Sequence, residues 1–260
     1  MRRHLCMSSQ SVDQQNLNVL QAMKEYAWAS NAYHFVSSFG EFNEPCAPFF
    51  VSSSDNGEIK KWDINTKLLE APLHEALTRR KSSRDFGDDL LDLEKLYTLL
   101  WSTYGYTFTD NEGEHRTVPS AGALFPLRVY VISLGIEELN KGVYQYNPLN
   151  NEINIMDNVE LPQNLSDWFL TKHIDYDKAS AIILFVGQMD RICPKYGERG
   201  YRYLLLEAGH AAQNLCLTSS ILSIPTVPVG GFNDSMINQA LHLKEDCEVT
   251  VYSVALGRTK

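Results

Sequence analysis

The segment Arg79-Arg80-Lys81-Ser82-Ser83-Arg84 sets four cations and two hydroxyls side by side in a chain whose net charge is −9. Arginine presents a planar fork of donors and serine adds a short one, a combination that suits a phosphate monoester. The same charges would also sit well at a helix C-terminus, where cations answer the negative end of the dipole. On spacing alone both readings stand. The run from Pro119 through Ser120, Ala121, Gly122, Ala123, Leu124 and Phe125 to Pro126 confines small residues between two prolines. Its backbone can approach a flat ligand closely, or it makes a tight connection and nothing more. Gly230 and Gly231, ahead of Phe232, leave the same two readings open. Lys195 and Tyr196 lie between a strand-like apolar run and a helical one. A loop in that place commonly carries function, and a cation beside a phenol favours its ionised form. The plainer reading is two surface residues.

Tyr203, Glu207, His210 and Asn214 recur at helical spacing and form one polar stripe on an otherwise apolar cylinder. Glu207 and His210 spell the E-x-x-H of di-iron bundles, but such a site needs further paired carboxylates on neighbouring helices. The stripe therefore reads as a satisfied hydrogen-bond network across a helix interface, and no metal is expected. The chain has no G-x-G-x-x-G, P-loop, G-x-S-x-G or H-E-x-x-H, so Rossmann, NTPase, hydrolase and zincin readings lose support.

The elements that would position these residues follow from periodicity. Leu93, Leu96, Leu99 and Leu100 repeat at helical spacing between Asp92, a plausible N-cap, and Gly105, a plausible C-cap. Residues 128–133, 142–146, 152–156, 181–187 and 249–257 are β-branched and aromatic runs that read as strands. The second and third of these form a hairpin through Asn147, Pro148 and Asn150. Residues 199–222 predict a buried helix, whose small residues Ala208, Gly209, Ala211 and Ala212 suit the domain centre or a dimer interface. A further amphipathic helix is expected over 13–29, and 36–66 reads as loop or extended chain. The sum is α+β, with helices packed on a mixed or mostly antiparallel sheet.

An acidic chain of pI about 5.3 lacks the basic surface that nucleic acid requires. Five cysteines without short-spaced pairs indicate neither a zinc knuckle nor a disulfide scaffold. No window approaches the roughly 18 apolar residues of a membrane span, so a cytoplasmic protein is expected.

The segments RRKSSRDF, PSAGALFPLRVYV, GVYQYNP, KYGERGYRYLLLEAGHAAQNLCL, VGGFND and a final ALGR occur in an order that resembles the nitroreductase-like flavoproteins. More narrowly, the chain is similar to the SagB-type dehydrogenases of antibiotic biosynthesis, which oxidise thiazolines and oxazolines in ribosomal peptides to thiazoles and oxazoles. The resemblance covers roughly 71–260, leaving 1–70 as an N-terminal extension that would meet substrate or partner. It implies an FMN-binding domain in a homodimer, with the cofactor at the subunit interface. Arg80, Lys81, Ser82 and Arg84 would hold the phosphate and ribityl tail. Ser120, Ala121 and Gly122 would line the flavin ring, with Gly230, Gly231 and Arg258 completing the cradle. Lys195 and Tyr196 match the pair considered catalytic in the azoline-oxidising branch. There, a base takes a ring proton, hydride passes to flavin N5, and oxygen reoxidises the flavin. The implied partners are an azoline-containing precursor peptide and cyclodehydratase proteins. Two other readings compete: a general NAD(P)H-dependent nitroreductase or quinone reductase, and a flavin-less structural subunit of a peptide-modifying complex.

Overall fold

Asp92 accepts the Lys95 N–H at 3.0 Å and so starts a helix whose leucines all turn inward, which is the pattern its spacing predicts. It belongs to a computed structural model that describes residues 60–61, 63–111, 113–171, 173–244 and 246–259. The helix expected over 13–29 and most of 36–66 lie outside the described residues. In chain order the elements begin with β1 (Lys60–Lys61), α1 (Leu73–Arg79), α2 (Leu93–Tyr104), β2 (Tyr106–Asp110), β3 (Gly113–Arg116), β4 (Leu127–Ser133), β5 (Gly142–Asn147) and β6 (Glu152–Ile155). They continue with β7 (Ala179–Gln188), α3 (Met189–Tyr196), α4 (Arg199–Ile221), β8 (Thr226–Val229), α5 (Asp234–Ala240) and β9 (Glu248–Gly257).

Among the described residues seven strands form one sheet in the order β1-β6-β5-β4-β7-β9-β8, and every pairing in it is antiparallel. The hairpin expected at Asn147–Asn150 is β5–β6. Alternate side chains of the central strands feed two cores. Val129, Val131, Ile183 and Phe185 pack with leucines of α2 and with Leu204 and Ala208 of α4. Tyr130, Ile132, Ile182 and Leu184 pack on the opposite face with Trp168, Phe169 and Ile237. Covered on both faces, β7 is buried at every residue, hence its apolar run over 181–187. Gly187 lets α4 lie close on β7, because a Cβ there would run into the Leu204 side chain.

Three sequence expectations change. Lys195 and Tyr196 stand on the last turn of α3, a helix containing Pro194, and not in a loop. β8 and the β2–β3 hairpin are additional strands; Pro228 is tolerated in β8 because that strand is a sheet edge. The helix α4 is not buried all round: Leu204, Glu207, Ala208, Ala211, Leu215 and Cys216 face inward, while Leu205, Leu206, Gly209, His210 and Gln213 are exposed. Among the described residues no helix is long and apolar enough to cross a membrane.

Candidate functional site

The basic segment starts at the end of α1, so both of its readings hold in part. Arg79 lies in the last helical turn, bonded to Glu75 and Ser223, and Arg80 is the C-cap. From Lys81 the chain runs outside any helix along the sheet edge. The Ser83 N–H bonds to the Thr226 carbonyl at 2.9 Å and the Gly87 N–H to the Arg258 carbonyl at 2.8 Å. Arg84, held between these two bonds, therefore lies beside the segment that carries Arg258. Among the described residues no ion pair engages Arg80, Lys81 or Arg84. Three cations left unneutralised by the described residues of an acidic chain mark a place where an anion is favoured. The Arg258 side chain lies over Gly135, with its Nε buried and without a hydrogen-bond partner.

Gly230 and Gly231 follow β8 at its opposite end and are exposed. Gly230 is next to Tyr252, whose phenol burial and the Cys216 thiol push up. Burial also pushes the Cys216 thiol to about 11, against the pull of the Arg80 charge. The Cys216 thiol thus feels the charge of Arg80 and in turn acts on Tyr252, which neighbours Gly230.

The second cluster surrounds the Ser120–Phe125 turn. Gly122 has φ 62, and two non-glycine residues, Ala123 at φ 55 and Phe125 at φ 47, are also left-handed. A Cβ on Gly122 would lie 2.6 Å from Lys195 Nζ and 2.6 Å from Tyr196 Oη. The tips of the two adjacent residues therefore share the space over one Cα. Lys195 Nζ stands 5.5 Å from the centre of the Tyr196 ring, and Tyr203 meets that ring edge-on at 5.0 Å. Burial, reinforced by Tyr203, holds the Tyr196 phenol above its ordinary value of 10.0. Sequence adjacency to Lys195 led us to expect the opposite direction; desolvation outweighs the cation here.

Glu207 anchors the turn from below. Its carboxylate accepts the Tyr104 hydroxyl at 2.5 Å and the Ser120 hydroxyl at 2.6 Å. Burial pushes Glu207 up to about 7, although both hydrogen bonds and the charges of Arg116 and Arg191 pull it down. The Ser120 hydroxyl also accepts the Phe125 N–H at 2.9 Å, so this side chain shapes the turn. Asn214 donates to the Thr117 carbonyl at 2.9 Å, extending the same support, whereas His210 points outward. The polar stripe of α4 is thus an interface network through Glu207 and Asn214. Arg116, stacked on the Tyr104 and Phe125 rings, and Arg191, bonded to the Leu124 carbonyl, went unnoticed in the sequence. Neither stands in a motif, and only the fold carries β3 and α3 to the turn. Among the described residues no group of three His, Cys, Asp or Glu side chains could hold a metal.

The two clusters occupy different levels of α4. Glu207, which holds Ser120, and Cys216, whose thiol feels the Arg80 charge, are about 14 Å apart along the axis at roughly 1.5 Å per residue.

Comparison with known proteins adds to this geometry. MJ1384 of Methanocaldococcus jannaschii, which carries the nitroreductase name, is 35% identical over 191 residues, covering 74% of this chain and 92% of its own length. McbC, the microcin B17-processing protein of Escherichia coli, is 23% identical over 235 residues, 82% of this chain and 83% of its own. The E. coli microcin synthetase McbBCD complex with truncated pro-MccB17 bound superposes with a TM-score of 0.60 at 20% identity over 94% of both chains. A structure from Anabaena variabilis, also named a nitroreductase, gives 0.62 at 23% identity over 85% of this chain, which spans 50% of that longer one. Likenesses at these identities show the fold. The sequence model of the nitroreductase family matches residues 77–258, and with that match the chain belongs to the nitroreductase family.

Proposed function

We propose that this chain is an FMN-dependent dehydrogenase that oxidises thiazoline or oxazoline rings in a ribosomally made peptide to thiazole or oxazole. FMN is the cofactor of the family, and the residues fit it. The cations Arg80, Lys81 and Arg84, without an ion pair among the described residues, are with Ser82 the donors a phosphate tail needs. Arg258 brings a buried Nε without a partner to the neighbouring segment. Gly230, Gly231 and the backbone of Ser120, Ala121 and Gly122 offer surfaces that a flat ring can approach. Bound FMN supplies a two-electron acceptor.

The observation that carries the substrate reading is the convergence of Lys195 Nζ and Tyr196 Oη on Gly122. Ring oxidation needs a base at the carbon whose proton leaves. Tyr196, half-buried against Tyr203, is the base, and Lys195 places a cation where the phenolate charge develops. Because the phenol is held above 10.0, its active form is a small fraction at neutral pH. Azoline oxidation should therefore rise with pH through the neutral range. The likeness to McbC and to the complex that contains pro-MccB17 supports a peptide substrate and cyclodehydratase partners. Residues 1–70 are assigned to contact with peptide or partner, residues 71–260 to the FMN-binding domain, and the protein to the cytoplasm. The exposed face of α4 is assigned to a second copy.

The 35% identity with MJ1384 favours a second reading, a general NAD(P)H-dependent nitroreductase or quinone reductase. Purified protein should be yellow, release FMN on denaturation, and remove two hydrogens from an azoline-containing peptide, read by mass spectrometry. Tyr196→Phe and Lys195→Ala should keep their FMN and lose roughly 100-fold in that oxidation. Rapid NAD(P)H oxidation with a nitroaromatic acceptor and no action on the peptide would favour the second reading; normal turnover by Tyr196→Phe would remove the base.

A further inference from the structure

The carboxylate of Glu207 is 1% exposed and has both oxygens engaged by hydroxyls, Tyr104 at 2.5 Å and Ser120 at 2.6 Å. Each hydroxyl has one proton, and that proton is directed at the carboxylate. Its oxygen is left to accept a backbone donor: Phe125 N–H on Ser120 at 2.9 Å, and Leu127 N–H on Tyr104 at 3.2 Å. A single carboxylate thereby orients the amides on both sides of Pro126. Within the span it fixes lie Gly122, Ala123 and Phe125, all at positive φ, a conformation that Ala and Phe seldom adopt without surrounding support. Against that span rest the tips of Lys195 and Tyr196.

We propose that Glu207 is a positioning residue for the Lys195–Tyr196 pair: ionised, it holds the left-handed turn at Gly122–Phe125 through Ser120 and Tyr104, and protonated, it lets that turn relax. The inference rests on the reading of Lys195 and Tyr196 as the pair that acts on the substrate. The groups facing Glu207 come from four places. They are Tyr104 of α2, Arg116 of β3, Ser120 of the turn and Arg191 of α3. Arg116 stacks 4.8 Å from the Tyr104 ring centre and 4.5 Å from that of Phe125, and Arg191 donates to the Leu124 carbonyl. These cations favour the carboxylate while burial opposes it, and the balance falls at about 7. Protonation converts one oxygen from acceptor to donor. The hydroxyl opposite must then turn its own proton away, and its bond to Phe125 or Leu127 is disturbed. Neutral pH is where the turn would pass between its two states.

The test follows the backbone amide signals of Phe125 and Leu127 in the purified protein from about pH 5 to about pH 9 by NMR, beside the pH dependence of turnover. Both amides are expected to titrate with one shared midpoint near 7, and Glu207→Gln should flatten both. Ser120→Ala should abolish the Phe125 response and leave that of Leu127. If Glu207→Gln does not fold, the wild-type titration and Ser120→Ala decide the matter. In folded Glu207→Gln, the inflection near neutral pH should also vanish from turnover, whereas Tyr196→Phe should leave the amide titration unchanged. Amides that do not titrate, titrate at different midpoints, or still titrate in Glu207→Gln overturn the proposal, as does an unchanged pH profile of Glu207→Gln. Intact, Glu207-dependent titration in a protein that does not oxidise azolines counts against the substrate reading alone.

Discussion

Glu207 makes the stability of the fold depend on pH in a direction unusual for a carboxylate. Burial raises it from 4.5 to about 7, so between those values the unfolded chain has lost the proton and the folded chain has kept it. Stability contributed by this group is whole below 4.5 and falls as pH rises through 7. The full difference is about 3 kcal/mol, from roughly 1.4 kcal/mol per pKa unit. Thermal or denaturant midpoints measured across that window should decline in the wild type and decline distinctly less in Glu207→Gln. Equal slopes would show that Glu207 is ionised in the fold well below neutrality. Tyr196 teaches the same lesson about environment. Its neighbour Lys195 is visible in the sequence, but the contact with Tyr203 of the following helix and the loss of solvent are not, and they set the direction.

Elements held by short-range signals were legible. Asp92 and the leucines of α2 are a cap and a period, and the fully buried β7 shows itself by the apolar run over 181–187. Those that depend on distant partners were not. Pro194 argues against α3, which forms because its N-terminus continues directly from β7 and Ile192 finds the core. Pro228 likewise hides β8, which exists because β9 offers it an edge. For the site, residue types pointed to the basic segment and the Lys-Tyr pair. That Gly122 lies under that pair required the fold, since the turn and α3 are far apart in sequence. Gly122→Ala tests this close approach. The Cβ would meet both tips at 2.6 Å at a residue with φ 62. Left-handed alanine costs about 1–2 kcal/mol, a loss that a denaturant titration would read. Displacement of both tips should lower azoline oxidation by about 100-fold. Undiminished turnover would mean that the pair does not work from this position.

At the scale of the whole molecule, the described residues leave one side of α4 uncovered. Leu205 is 42% and Leu206 55% exposed, Gly209 faces open space, and α1 adds Leu73 and Leu77. A cavity of about 300 Å³ between α1, α2 and α4, lined by Leu69, Ala76, Trp101, Leu217 and Ile221, continues this apolar surface. A second copy packed on it would bury the patch around a two-fold axis. Sedimentation should give a homodimer, and Leu206→Arg should yield monomers with weakened FMN binding; a wild-type monomer that holds FMN firmly would exclude this assembly. The strand order also sets a timetable for synthesis. β4, β5 and β6 form a meander of consecutive strands and can pair as soon as they leave the ribosome, but β7 receives its second neighbour from β9, and β8 joins the sheet solely through β9. A nascent chain that has emerged as far as α5 therefore carries the ten residues of β7, most of them apolar, with one edge bare. In that interval they are open to the wrong strand, so slow translation before Glu248 should raise aggregation and dependence on chaperones.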